Sequence, residues 1–294
     1  MKLAVIGDIH GFWDARDTAY FNQSDYAALL FVGDFAAWTG SLPVARMLAG
    51  LTRPAWAIPG NHDAVTPLQL AAEIKHRRWL CALTGMGMER RVAALARALA
   101  PVRVGGYSLD RLDTDLGLLT ARPHAMGPDA FHYRGYLSRR FGVAGFRASA
   151  ELLKALVDSA PRRLIVLAHN GPAGLGATAD APFGNDFSPA GGDFGAPDLR
   201  VALDHARATG HQVLAVVAGH MHHSRRHAPV QRRTCAYDGA TLCINAARVP
   251  RIRKDGSHRH HVALYIDGDA VRAETVFVAA DGSIEAREPL TPVA

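Results

Sequence analysis

Short apolar runs in this chain end repeatedly in a small polar cluster, usually opened by glycine, and no other feature restricts the fold as much. Residues 3–6 run into Gly7-Asp8-Ile9-His10, residues 28–32 into Gly33-Asp34, and residues 55–58 into Gly60-Asn61-His62-Asp63. Further along, residues 163–168 deliver His169, and residues 213–218 deliver Gly219-His220-Met221-His222. Runs of this length rich in Val, Ile and Leu read as buried strands. Amphipathic stretches at 15–21, 42–51, 68–83, 89–99, 149–160 and 197–209 read as helices. The alternation predicts an α/β fold, in which polar residues at the carboxyl ends of neighbouring strands converge on one crevice. Glycine before four of the five clusters lets the backbone turn and the side chain enter the site.

The rest of the chain is less regular. Gly, Pro, Tyr and Asp break up residues 101–143, with one strand-like piece at 117–121, which reads as an irregular insertion. Residues 171–197 hold Gly, Ala and Pro without an apolar period. A loop that long in a compact chain is expected to be functional, here as a lid over the crevice, or a flexible surface segment; Asn185, Asp186 and Asp193 are its candidates for shaping such a lid. Strands expected at 242–245, 262–266 and 271–278, with Asp267-Gly268 and Asp281-Gly282 as turns, predict an antiparallel second sheet. No repeat or linker divides the 294 residues, so one domain is expected over 1–294.

Bulk properties exclude several classes. No apolar run approaches the ~18 residues of a membrane helix, and the early Gly-Asp-Ile-His cluster leaves no room for a cleaved leader. Cys81, Cys235 and Cys243 are odd in number and form no CxxC pair, which argues against a disulfide framework and a thiolate metal site. A cytoplasmic protein is expected. The net charge of +6 is compatible with attraction to nucleic acid, but its Arg clusters lack interleaved aromatic residues, and a solvated basic face is the better reading. Nothing in the pattern specifies an oligomer.

The chemistry lies in the clusters. Asp8, His10, Asp34, Asn61, His169, His220 and His222 combine carboxylate, imidazole and amide oxygen donors, a set suited to Mn, Fe, Zn or Ni, with Mn favoured. Any one of these residues alone is more often a hydrogen-bonded core or surface residue. Seven together exceed the needs of one ion that keeps an open position, whereas two divalent ions sharing a carboxylate account for the number.

The order Asp-x-His, Gly-Asp, Gly-Asn-His-Asp, His, Gly-His-x-His over positions 7–222 resembles the calcineurin-like metallophosphoesterases. The resemblance implies two packed mixed β-sheets flanked by helices, an α/β/β/α sandwich with a dimetal site at one edge. It implies that Asp8, His10 and His222 hold one ion, that Asn61, His169 and His220 hold the other, and that Asp34 bridges them. His62 would be the acid or the phosphate contact, with Asp63 orienting it. The Gly-Asp-x-x-Asp-Arg run of the protein Ser/Thr phosphatases is replaced by Gly33-Asp34-Phe35-Ala36-Ala37-Trp38, which argues against that branch. Residues 168–172, 191–193 and 245–250 look like an uncharacterised bacterial and plant-type branch.

The expected reaction is phosphoester hydrolysis by a hydroxide bridging two ions. Phosphodiesters, nucleotides among them, are favoured because the double-histidine Gly-His-x-His resembles the phosphodiesterase side of the superfamily. The alternative within enzymes is a phosphomonoesterase acting on a small metabolite. A non-catalytic scaffold is disfavoured because all seven donors and His62 are present, and a nuclease because no separate nucleic-acid-binding region is visible. Arg122 and His124 are candidate phosphate contacts. His223 and His227 are expected to face solvent or pair locally, and His258-Arg259-His260-His261 to form an exposed hairpin edge.

Overall fold

A computed structural model describes residues 1–36, 40–188, 191–223, 231–253 and 255–291. Seven strands form the first sheet. Strands β1 (Lys2–Ile6), β2 (Ala28–Phe31), β3 (Ala55–Ala57) and β4 (Arg103–Val104) run parallel on one side. On the other side β11 (His258–Asp267), β12 (Ala270–Ala279) and β13 (Ile284–Pro289) continue it antiparallel, with β11 against β1. The second sheet has the order β5 (Ser108–Arg111), β6 (Leu116–Thr120), β7 (Arg163–Leu167), β8 (Gln212–Ala218), β10 (Thr241–Asn245) and β9 (Cys235–Asp238). Its four inner strands are parallel and its two edges antiparallel.

Side-chain alternation explains how the sheets stack, because successive residues of a strand point to opposite faces. Leu3 and Val5 of β1 pack with Ile165 and Leu167 of β7 in the layer between the sheets, along with Leu30, Leu118, Val217 and Ile244. Ala4 and Ile6 face outward to Phe21, Val44 and Leu95, from helices α1 (Ala15–Gln23), α2 (Leu42–Leu48) and α5 (Met88–Leu99). Leu164 and Val166 face the other way, to α6 (Arg134–Phe141), α7 (Phe146–Asp158) and α8 (Pro197–Ala208). Strands buried on both faces have no polar positions, which is why they read as unbroken apolar runs. The result is the expected α/β/β/α sandwich.

Three sequence expectations are corrected. Residues 101–143 are no insertion: they supply β4, β5, β6 and α6, and every residue of β6 is buried against β7. The single helix expected at 68–83 is two, α3 (Pro67–Ile74) and α4 (Arg78–Thr84), separated by a turn in which His76 takes φ +51°. The late strands do not form a separate antiparallel sheet; β9 and β10 extend the second sheet and β11–β13 the first. Their hairpin signals are local, whereas pairing partners are chosen by the faces left open elsewhere. No helix among the described residues is long and apolar enough to cross a membrane.

Candidate metal centre

The carboxyl ends of β1, β2 and β3 in one sheet, and of β7 and β8 in the other, bring the seven donor residues together. Asp34 stands between two groups. His10 Nε2 is 3.6 Å from Asp34 Oδ2, 4.0 Å from Asp8 Oδ2 and 3.1 Å from His222 Nε2, and His222 Nε2 is 3.2 Å from Asp8 Oδ2. On the other side His169 Nε2 is 3.7 Å from Asp34 Oδ2, and Asn61 Oδ1 lies 2.9 Å from both His169 Nε2 and His220 Nδ1. Asp8, His10 and His222 thus lie together on one side of Asp34, and Asn61, His169 and His220 on the other.

The local backbone is arranged for close approach. A Cβ on Gly60 would come within 2.2 Å of Asp34 Oδ1 and 2.6 Å of His169 Cε1, and one on Gly219 within 2.1 Å of Asp8 Oδ1. Glycine at these two positions therefore provides space rather than a turn. His10, Asp34 and His220 themselves have φ of 44°, 52° and 69°, a region that costs a non-glycine residue on the order of 1–2 kcal/mol. Backbone hydrogen bonds hold them there: His10 N–H donates to Asp34 O at 2.7 Å, and Gly219 N–H to His169 O at 2.8 Å. Such conformations persist where the surrounding structure over-determines them.

Electrostatics favour a cation at this place. Burial opposes ionisation of Asp34 and Asp8, yet both stay below the ordinary carboxylate range, Asp34 through His169, His62 and His10, and Asp8 chiefly through its hydrogen bond with His222. Burial pushes His220 down to about 3, so its ring is neutral near pH 7. His169 Nδ1 lies 2.7 Å from the Val32 carbonyl oxygen and must donate to it. In the neutral ring the Nε2 lone pair then faces the Asn61 amide oxygen, also an acceptor, at 2.9 Å. Two acceptors at that distance repel unless a ring proton or a cation lies between them. Nitrogen and oxygen donors of this kind fit a divalent transition ion, so the residues present suit the metal that the sequence resemblance implies.

The remaining expected residues divide. His62 lines a cavity of about 560 Å³ together with Asp34, Asn61, His220 and His222, and its ring stands edge-on to His10 with centroids 5.3 Å apart. Asp63 does not hold the His62 ring. Its buried carboxylate accepts from the N–H groups of Phe35, Ala36 and Gly60 and from Ser41 Oγ, at 2.9–3.1 Å, and so ties the second and third clusters together. Arg122 and His124 are corrected outright: neither lines the cavity. Arg122 is 2% exposed and bonds Asp198 at 2.7 and 3.2 Å, while His124 is fully buried with Nδ1 2.7 Å from the Gly60 carbonyl.

The histidine-rich stretch of β11 is also corrected, since Arg259 and His261 are buried. His223 pairs locally, with Nε2 2.9 Å from Thr234 Oγ1, while Trp38 and His227 lie outside the described residues. The loop at 171–197 is anchored rather than free: Phe183 is fully buried, and Arg232 donates to the carbonyls of Ala179, Ala181 and Gly184 and to that of His222. Its Asn185, Asp186, Phe187 and Ser188 line the cavity, whereas Asp193 bonds the loop backbone at Gly195. Two positioning residues escaped the sequence reading. Arg232 is one; the other is Asn245, whose amide donates to the carbonyls of Met221 and Pro182 at 2.6 and 2.8 Å. Asn245 stood out only as the end of an apolar run and the start of the 245–250 stretch, with Ala246-Ala247 after it instead of a glycine, and neither feature gave it a role.

A solved structure aligned over 99% of both chains has a TM-score of 0.51 at 12% identity, which shows the fold. A protein of Thermus thermophilus aligns over 92% of this chain and 97% of its own, at 10% identity and a TM-score of 0.49. Vps29 complexed with zinc, from Entamoeba histolytica, aligns over 99% of this chain and 100% of its own, at 11% identity and 0.39. No curated protein matches the chain. Residues 1–224 match the model of the calcineurin-like phosphoesterases, a stretch that contains all five clusters. The chain belongs to the calcineurin-like phosphoesterase family and is a metal-dependent phosphoesterase.

Proposed function

We propose that this enzyme hydrolyses phosphodiesters with two divalent ions, manganese the favoured metal. Asp8, His10 and His222 hold one ion, Asn61, His169 and His220 the other, and Asp34 bridges them. The observation that carries the reading is the division of the donors into two groups about Asp34, whose carboxylate oxygen is 3.6 Å from His10 Nε2 and 3.7 Å from His169 Nε2. Bound there, the ions would supply a water ionised near neutral pH and charge stabilisation for the phosphoryl oxygens. The protein's own part is to fix the donors and to protonate the leaving oxygen, a role we assign to His62 because it lines the cavity beside the donors and an imidazole can act as general acid.

The cavity supports a diester over a monoester. Its described lining residues include no Lys or Arg, and Leu70, Ile74, Met126, Phe187 and Phe194 form apolar wall. A phosphomonoester dianion is commonly gripped by guanidinium groups, and the one buried Arg expected to do so, Arg122, is held by Asp198. A diester carries one negative charge and two organic groups, which suits this surface. The test is a panel of mono- and diesters assayed with manganese. Diesters should show the higher kcat/KM; a preference for monoesters would overturn the substrate assignment.

A further inference from the structure

The cavity that exposes the donor cluster is lined by a second group, His76, Asp129 and His132. None of the three belongs to the five clusters. His76 stands in the turn between α3 and α4, while Asp129 and His132 precede α6. Asp129 Oδ2 is 3.3 Å from His76 Nε2, and its Oδ1 is 3.5 Å from His132 Nε2. One donor atom from each residue can be chosen so that all three lie within 4.8 Å of one another. His132 is 2% exposed, and among the described residues neither of its ring nitrogens has a hydrogen-bond partner. Behind it, the buried Glu73 places Oε2 3.6 Å from His132 Nδ1.

Two arrangements could hold a buried imidazole between two carboxylates. In the first His132 is a cation paired with both, and charge-assisted N–H···O contacts then close to about 2.7–2.9 Å. The 3.5 and 3.6 Å observed for His132 are too long for that. In the second a metal ion is shared. Tetrahedral bonds of about 2.0–2.2 Å set neighbouring donors about 3.3–3.6 Å apart, and the Asp129 carboxylate offers each histidine an oxygen at that spacing, Oδ2 to His76 and Oδ1 to His132. The orientation of the ring fits as well: Nδ1 is turned to the Glu73 side and Nε2 to Asp129, and a carboxylate behind the histidine is the usual outer partner of a metal-bound imidazole.

We propose that His76 Nε2, His132 Nε2 and an Asp129 carboxylate oxygen bind a further divalent transition ion of the zinc class, with Glu73 orienting His132 and the remaining coordination position open to the cavity. Two nitrogens and one carboxylate oxygen are a donor set that selects such an ion over calcium or magnesium. The site is independent of the donor pair about Asp34.

The test uses the full chain, stripped with chelator and dialysed against buffered Zn²⁺, with bound ions per chain measured by elemental analysis. His76→Ala and Asp129→Asn alter side chains about half exposed, so folding is not at stake. Each variant should bind one ion per chain fewer than its parent, in the otherwise unaltered protein and equally in an Asp34→Asn background. Unchanged zinc content in both variants would overturn the proposal. The Asp34→Asn arm keeps the two readings apart: failure of the paired site appears as full zinc content in Asp34→Asn itself, and the one-ion difference caused by His76→Ala is still read there.

Discussion

His62→Ala removes a side chain that borders the metal donors without being one of them, so chemistry and metal content should separate. Metal content is expected to stay unchanged, while kcat falls by about 100-fold or more for substrates with poor leaving groups, in keeping with general acid catalysis. A p-nitrophenolate leaving group needs no proton and should lose much less. An equal loss for all leaving groups would assign His62 to phosphate binding instead. The donors were legible at this scale because each sits within four residues of the end of an apolar run. Arg232 and Asn245 were not, since their roles consist of the carbonyls they meet, such as Ala181 and Pro182, which lie some fifty or more residues away in sequence. Arg122 misled for the same reason: its motif looked like a phosphate contact, but Asp198, 76 positions on, is its partner.

At the scale of elements, β11 shows what apolar patterning conceals. His258-Arg259-His260-His261 reads as a polar edge, yet β11 lies between β1 and β12, and the His261 ring is buried against Phe21 and Tyr26. Tyr26 Oη lies 2.6 Å from His261 Nε2 and donates to it in the neutral ring. Burial holds His261 well below its ordinary pKa, helped by Arg251. The unfolded chain therefore binds a proton that the fold does not accept, and stability is complete above pH ~6.5 and lost as the pH falls below it. At pH 5.5 this one residue should cost about 1.4 kcal/mol relative to pH 7.5. His261→Gln keeps an acceptor for Tyr26, and urea unfolding at the two pH values should show a pH-dependent loss smaller by that amount. An identical loss in both proteins would mean that His261 does not carry it. Helices α3 and α4 teach a related lesson: one continuous amphipathic pattern hides the break at His76, which no Gly or Pro announces.

At the scale of the molecule, the sandwich and the site are one construction. Asp8, Asp34 and Asn61 come from the first sheet, His169, His220 and His222 from the second, and they meet only when the two sheets share the layer that holds Leu3, Val5, Ile165 and Leu167. The sheets themselves were legible from unbroken apolar runs, but which late strand joined which sheet was not, because that depends on open edges rather than local pattern. Binding to the folded state alone adds about 2.7 kcal/mol at a metal concentration 100 times Kd, so chelation should lower Tm by on the order of 5 °C or more. Asp34→Asn should lose most of that difference, and a Tm indifferent to chelator would indicate that the donors bind no ion. The central claim, hydrolysis by two ions held about Asp34, is tested most directly by restoring Mn²⁺ stepwise to stripped protein and following turnover of a phosphodiester against ions bound. The stripped protein should show no turnover, activity should grow with the second ion rather than the first, and Asp34→Asn should show none. Full activity in the stripped protein, or saturation at one ion per chain, would contradict it.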